Sequence, residues 1–187
     1  MSRKNAVIWA RKILKEPFVV LDTETTGIHD AEPCSIAVVS SSGRVLLDCL
    51  LKPSKPISSV AYDIHGISNE DVKDLPSFKD YRNIIYNLTR EKILLGYNVA
   101  FDINAINESC RLQSVPALKF AANCAMIAYA EFAGEWNDYH RNYKWHKLSE
   151  AAEFFGIDTS TAHGAVADCL MTLEVVRCMA KSIIEEN

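Results

Sequence analysis

The order of short apolar runs along this chain constrains its fold more than any other feature. Residues 18–23 have the length and composition of a buried strand. Residues 35–40 and 44–51 follow as two further runs, and the polar turn at 41–43 between them predicts a hairpin. Three strands in close succession predict an antiparallel start to a β-sheet.

The rest of the chain alternates between helical and strand-like patterns. No internal repeat or domain linker interrupts it, and 187 residues suit a single domain over 1–187. We therefore predict an α/β fold in which a mixed β-sheet is flanked by helices. Helices are expected at 6–15, 77–90, 100–112, 125–133, 147–155 and 165–184, and strands at 93–96 and 119–124.

Charge and composition exclude several classes of protein. Lys and Arg total 20 against 24 Asp and Glu, a net charge of −4, so the surface as a whole is not suited to gripping phosphate backbones. The apolar runs fall far short of the roughly 20 residues that cross a bilayer, so we expect no membrane partner. The six cysteines form no C-x-x-C pair and no export signal is visible, which together indicate a reduced, cytoplasmic protein.

Two carboxylates stand two residues apart at the end of the first strand. The period of a strand places Asp22 and Glu24 on the same side, where two like charges need a counter-ion. The alternative is a solvated strand end whose threonines simply form a polar turn.

Two more acids lie on apolar helix faces. Asp102 shares a face with Ala105 and Ile106, although an acid in a first helical turn is also favoured by the helix dipole. Asp168 lies among apolar positions of the last predicted helix, where an unpaired carboxylate is costly to bury. His163 precedes that helix in the predicted loop, and a structural or surface histidine is the alternative to a catalytic one.

The order of these acidic segments identifies a family. The sequences DTETTG at 22–27, NVAFD at 98–102 and HGAVAD at 163–168, with IHGI at 64–67, resemble the motifs of the DEDDh 3′→5′ exonucleases. That superfamily includes RNase T, oligoribonuclease and the proofreading subunit of the bacterial replicative polymerase. The resemblance covers roughly residues 17–180 and implies the ribonuclease H-like exonuclease fold.

The resemblance also implies a catalytic centre. Asp22, Glu24 and Asp168 would hold one divalent ion, and Asp22 with Asp102 would hold a second. Carboxylate oxygens suit Mg²⁺ or Mn²⁺, and two such ions would clamp the scissile phosphate. His163 would take the proton from the attacking water, since a neutral imidazole is available at cytoplasmic pH.

Substrate contacts follow from the same family likeness. Thr23 and Glu24 are expected to recognise a terminal 3′-hydroxyl. Phe101 could pack against a terminal base or sugar, or could instead be a core residue of its helix. His65 could contact the terminal nucleotide or only brace its loop. Tyr97 and Ser35 stand where the family frequently has His and Glu, which puts details of nucleotide contact in doubt.

The segment 135–147 interleaves aromatic and basic residues, a composition that could guide a single strand towards the site. Alternatively, Trp136, Tyr139, Tyr143 and Trp145 are partly core residues beneath a long connection.

We therefore expect a metal-dependent 3′→5′ exonuclease that releases nucleoside 5′-monophosphates from single-stranded ends, with DNA slightly favoured over RNA. A polymerase or repair partner is possible. Two alternatives stand beside this expectation. One is a non-catalytic end-binding or polymerase-associated module, whose mark would be a missing carboxylate or histidine. The other is a phosphohydrolase acting on small nucleotides only.

Overall fold

The computed structural model describes residues 3–160 and 164–184 and has a five-stranded mixed β-sheet at its centre. The strand order is β3-β2-β1-β4-β5, with β1, β2 and β3 antiparallel and β4 and β5 parallel to β1. The predicted mixed sheet with an antiparallel start is confirmed. Its strands are β1 (Phe18–Thr25), β2 (Pro33–Ser40), β3 (Val45–Leu50), β4 (Ile93–Gly96) and β5 (Ala121–Cys124), and a separate small hairpin pairs β6 (Trp136–Asn137) with β7 (Asn142–Tyr143).

Helices cover both faces of the sheet. Most were predicted within a few residues of their observed ends, and the differences lie where helices fray or begin in polar sequence. They are α1 (Arg3–Ile13), α2 (Ser59–His65), α3 (Asn69–Val72), α4 (Phe78–Thr89), α5 (Val99–Leu112), α6 (Ala125–Ala133), α7 (Leu148–Phe154) and α8 (Ala165–Lys181). None of the helices within 3–160 and 164–184 is long and apolar enough to cross a bilayer.

The alternation of side chains along β1 divides the interior into two hydrophobic cores. Phe18 and Val20 point into a core built with α1, α6, α7 and α8. Val19 and Leu21 point into the opposite core, built with α4 and α5. A third, smaller cluster packs α2 and α3 against Cys34 at the end of the sheet. Strand β1, like its neighbours β2 and β4, contributes side chains to both main cores, so its far end can collect side chains from either layer.

Helix α2 was not predicted. Ser58 caps it by accepting a hydrogen bond from the Ala61 N–H at 3.2 Å, and Gly66 ends it with a left-handed φ of 73°. The short helix exposes Val60, Tyr62 and Ile64, so its apolar residues do not fall on one buried face, and the usual helical pattern is missing.

Candidate active site

The end of β1 continues the alternation that separates the two cores. Asp22 and Glu24 follow Val20 on the face that packs against α8, while Thr23 follows Leu21 on the face that packs against α5. Strand period alone therefore directs two carboxylates to one layer and a threonine to the other.

Three of the four predicted acids come together. Asp22, Glu24 and Asp168 each offer a carboxylate oxygen, and these oxygens all lie within 4.8 Å of one another. Asp168 reaches the cluster from the first turn of α8, where its N–H donates to the carbonyl oxygen of Gly164 at 3.0 Å. Three hard oxygen donors at this spacing suit a cation such as Mg²⁺ or Mn²⁺.

The fourth acid, Asp102, is held beside the cluster by Thr23. The Thr23 backbone N–H and hydroxyl both donate to Oδ1 of Asp102, at 3.0 and 2.7 Å. Asp102 is only 3% exposed, so this pair of hydrogen bonds fixes a buried carboxylate. Asp102 lies outside the 4.8 Å cluster, yet its charge raises the pKa of Asp22.

The electrostatics of the acids favour a bound cation. Burial, followed by the charges of Asp102, Asp168 and Glu24, raises the pKa of Asp22 well above its ordinary value. Burial and the charge of Asp168 raise the pKa of Glu24 to about 7. Burial raises the pKa of Asp102 to about 7 in spite of the two hydrogen bonds from Thr23. Among the described residues, no positively charged side chain lowers the pKa of Asp22, Glu24 or Asp102, so these three acids, grouped with Asp168, fit a divalent metal site.

A tight turn from β4 to α5 places Asp102 beside the end of β1. A Cβ atom at Gly96 would lie 3.0 Å from the Val99 side chain and 3.1 Å from the Leu21 carbonyl oxygen, so any larger residue would force these neighbours to shift. Asn98 then adopts the left-handed region at φ 62°, which asparagine tolerates better than most residues. The chain enters α5 within two residues of the strand end, and Asp102 falls in the first helical turn.

His65 is braced by the main chain at both ring nitrogens. Nδ1 accepts a hydrogen bond from the Ile67 N–H at 3.1 Å, and Nε2 lies 3.1 Å from the Thr25 carbonyl oxygen, to which it donates in that tautomer. The ring also lines a cleft of about 580 Å³ that contains Glu24 and Ser35. These contacts favour the bracing role over the polar nucleotide contact that the motif predicted.

Two other predicted contact residues are also placed by the structure. Thr23 is buried and both of its donor groups are used by Asp102, so it positions an acid, and recognition of a 3′-hydroxyl would depend on Glu24. Phe101 is half-buried, lies outside the hydrophobic cores of the described residues, and lines a cleft of about 440 Å³ with Ile28 and Asn104. This position does not support the alternative that Phe101 is a core residue of its helix. His163 lies outside the described residues.

Sequence reasoning named Ser35 and Tyr97 without assigning them a role, and it missed Glu32. Ser35 pairs with Glu24 across β1 and β2, and Tyr97 lines a cleft of about 420 Å³ together with Asp168. Glu32, fully buried, accepts hydrogen bonds at 2.8 Å from the backbone N–H groups of Ser54 and Lys55 and fixes the loop after β1. An acid between two motifs, followed by Pro33, was the only sequence signal for this anchor.

The chain is similar to known proteins over most of its length. The chain is 38% identical over 191 residues to the uncharacterized exonuclease CP81 of Escherichia phage 186, covering 97% of this chain and 98% of that protein. It is 28% identical to the DNA polymerase III subunit epsilon of Rickettsia typhi, covering 84% and 71% of the two chains.

The fold has a counterpart among solved structures. The nuclease domain of 3′hExo, described as a DEDDh family member bound to rAMP, superposes with a TM-score of 0.65 at 17% identity, covering 87% of this chain and 90% of that one. The RNase T family model, described as an exonuclease, matches residues 19–176. With its four acids assembled on a ribonuclease H-like sheet, the chain belongs to this exonuclease family and is a nuclease of the DEDDh type.

Proposed function

We propose that this exonuclease removes nucleoside 5′-monophosphates one at a time from the 3′ ends of single-stranded nucleic acid. The observation that carries the proposal is the cluster of Asp22, Glu24 and Asp168, whose carboxylate oxygens lie within 4.8 Å of one another. Asp102, tied to Thr23, completes the acidic set on the opposite side of β1.

Each acid has a defined place in the proposed centre. Asp22, Glu24 and Asp168 would hold one divalent ion, and Asp22 with Asp102 would hold a second. When bound, Mg²⁺ or Mn²⁺ ions neutralise the scissile phosphate and lower the pKa of the attacking water. Asp22 is central to both groups, in keeping with the rise of its pKa, which is caused by burial and then by the charges of the other three acids.

The proposed reaction needs a base and a leaving group. His163 stands one residue before Gly164, at which the chain enters α8, and we assign it the proton of the attacking water on that sequence position. The water oxygen bonds to phosphorus while the bond to the 3′-oxygen of the preceding nucleotide breaks. The products are a nucleoside 5′-monophosphate and a strand with a new 3′-hydroxyl.

The substrate is proposed to enter unpaired. The acids are partly or fully buried at a strand end, and a duplex end would have to be opened at a cost of a few kcal/mol to bring its terminal phosphate there. DNA is slightly favoured over RNA because no residue is assigned to a 2′-hydroxyl. Similarity to a DNA polymerase III subunit supports DNA as the substrate and a polymerase as a partner. The rAMP bound to 3′hExo supports a ribonucleotide substrate instead.

Product analysis on labelled strands tests the function. Matched single-stranded DNA and RNA, a duplex and a 3′-phosphate-blocked strand, each labelled at the 5′ end, and an internally labelled circular strand are incubated with Mg²⁺. We expect a ladder shortened from the 3′ end and released 5′-monophosphates, with slower cleavage of duplex and blocked ends. Cleavage of the circle, or equal rates on blocked and free ends, would contradict the proposal.

A variant of His163 tests the base. His163→Ala is expected to slow hydrolysis by roughly 10²–10⁴-fold while calorimetry shows Mn²⁺ binding close to that of the parent protein. Asp168→Asn is the matched comparison, because it should weaken metal binding as well as turnover. Loss of metal binding in His163→Ala would assign the histidine a structural or ligand role.

A further inference from the structure

The aromatic hairpin, residues 135–147, carries aromatic and basic side chains in one short segment. Strands β6 and β7 form its stem, and the Lys144 N–H donates to the Glu135 carbonyl oxygen at 2.8 Å. The rings of Trp136 and Tyr143 meet edge to face across the stem, with centroids 5.3 Å apart. The hairpin is therefore an ordered platform.

Its large aromatic side chains face solvent. Trp136 is 55% exposed, Tyr139 is 89% exposed and Trp145 is 59% exposed. Of the four aromatics that the alternative placed partly in the core, only Tyr143 is half-buried. Clustered exposed aromatics are typical of binding surfaces, because leaving such rings in water forgoes the free energy of burying them.

Charge favours a nucleic acid over other partners for this surface. Arg141, Lys144 and Lys147 are exposed on the hairpin, within a chain whose net charge is −4. Lys144 pairs with Glu135 at 3.1 Å, which leaves Arg141 and Lys147 as the cations available to phosphate. Asp138 is exposed in the connection between β6 and β7. Aromatic faces with interspersed cations are the common features of single-strand binding surfaces.

The hairpin is continuous with the acidic cluster. Trp145 and Lys147 line the same 420 Å³ cleft as Asp168, together with Tyr97 and Ser149. The Tyr97 hydroxyl donates to the His146 carbonyl oxygen at 2.9 Å, which fixes the base of the hairpin to the β4–α5 turn. The His146 ring is packed edge to face on Tyr129, with centroids 5.6 Å apart. A strand with its terminal phosphate at Asp168 thus meets Trp145 next.

We propose that the aromatic hairpin is the binding surface for the nucleotides upstream of the scissile bond, with bases stacked on Trp145, Trp136 and Tyr139. The inference rests on the proposed function for the placement of the terminal phosphate. If upstream nucleotides bind the hairpin, the enzyme should prefer strands that are long enough to reach the hairpin tip over dinucleotides. Stacking tolerates any base, so the preference depends on length and not on sequence.

Binding and hydrolysis are measured together to test this. The variants are Trp145→Ala and Tyr139→Ala, and Tyr86→Ala, an exposed aromatic on α4, is the matched control. The substrates are a dinucleotide and a 5′-labelled single strand of about 10 nucleotides, within the range that single-strand-binding modules cover. Fluorescence anisotropy in Ca²⁺ gives affinity without relying on turnover, and thermal denaturation verifies folding.

We expect each hairpin variant to bind the long strand about 10-fold more weakly and to lose part of the preference for long over short substrates. Tyr86→Ala should behave as the parent protein. Parent-like affinity for the long strand in both hairpin variants would overturn the inference and assign the surface to a protein partner. If the parent protein binds strands through the hairpin without cleaving any, the inference holds and the proposed function fails.

Discussion

Thr23 donates two hydrogen bonds to a single carboxylate oxygen of Asp102, one from its backbone at 3.0 Å and one from its hydroxyl at 2.7 Å. This pairing joins the strand that carries Asp22 and Glu24 to the helix that carries the fourth acid. Both donors converge on Oδ1 and hold the Asp102 carboxylate in one orientation beside the other acids. The threonine between the two motif acids is therefore a positioning residue.

Replacing the Thr23 hydroxyl should reduce activity without unfolding the protein. Thr23→Val keeps the backbone N–H and suits a strand, but it removes the 2.7 Å hydrogen bond. Loss of a partner of this kind typically costs about 10- to 100-fold in activity or metal affinity. Steady-state hydrolysis and Mn²⁺ calorimetry provide the measurement, with Thr23→Ser as the control that retains the hydroxyl. Parent-like rates in Thr23→Val would show that the hydroxyl does not orient Asp102.

Neutralising a motif acid should lower activity while stabilising the metal-free protein. Glu24→Gln is expected to reduce hydrolysis by orders of magnitude, and Asp22→Asn, Asp102→Asn and Asp168→Asn should do the same. Because burial and Asp168 raise the pKa of Glu24 from 4.5 to about 7, the charged form destabilises the fold. After discounting its partial exposure, we expect Glu24→Gln to gain about 1–2 kcal/mol in EDTA.

Chemical denaturation of parent and variant in EDTA, beside assays in Mg²⁺, separates the two effects. Glu16→Gln is a suitable matched control, since that glutamate is exposed beyond the end of α1. A variant with full activity and unchanged metal occupancy would remove its residue from the site.

The stability of the metal-free protein should fall as pH rises towards neutrality. Glu24 and Asp102 have ordinary values of 4.5 and 3.8, and burial raises the pKa of each to about 7. At a pH between the ordinary and the raised pKa values, the folded protein keeps protons that the unfolded chain has released. The free energy of unfolding therefore decreases as the pH rises. We expect a loss of about 1–3 kcal/mol from about pH 5 to about pH 7.5 in EDTA.

Adding Mg²⁺ should reduce or reverse this trend, because the ion binds only the deprotonated acids. Denaturation at both pH values, with and without Mg²⁺, provides the comparison. Metal-free stability that rises over the same interval would contradict the raised pKa values.

The two hydrogen bonds of His65 predict a stability defect that requires no substrate. His65→Ala removes both contacts and leaves the Thr25 carbonyl oxygen and the Ile67 N–H without that partner, which should cost about 1–3 kcal/mol. His65→Gln can keep a donor for Thr25, and His65→Asn can keep an acceptor for Ile67, so each should recover part of the loss. Unchanged stability in His65→Ala, combined with a raised KM, would favour nucleotide contact over bracing.

Local pattern was enough to predict the sheet and its main helices, because both have a hydrophobic period that the apolar residues follow. It did not predict α2, whose exposed Val60 and Ile64 break the pattern, or the β6–β7 hairpin, whose aromatics face water. For the site, strand period predicted that Asp22 and Glu24 share a side. The involvement of Thr23 with Asp102 depends on a contact between residues 79 positions apart, which no local pattern encodes.

Because β1 lies between the two cores, the metal site can form only after the helices on both faces of the sheet have packed against it. Helix α8 belongs to one core and α5 to the other, so Asp168 and Asp102 reach the end of β1 only when both layers are docked. Ion binding across this junction would couple the local opening of two otherwise separate layers, so amide protons in both helices should exchange more slowly together. A molecule with one layer detached would lack a complete ligand set, and partly folded chains would therefore be unable to degrade nucleic acid.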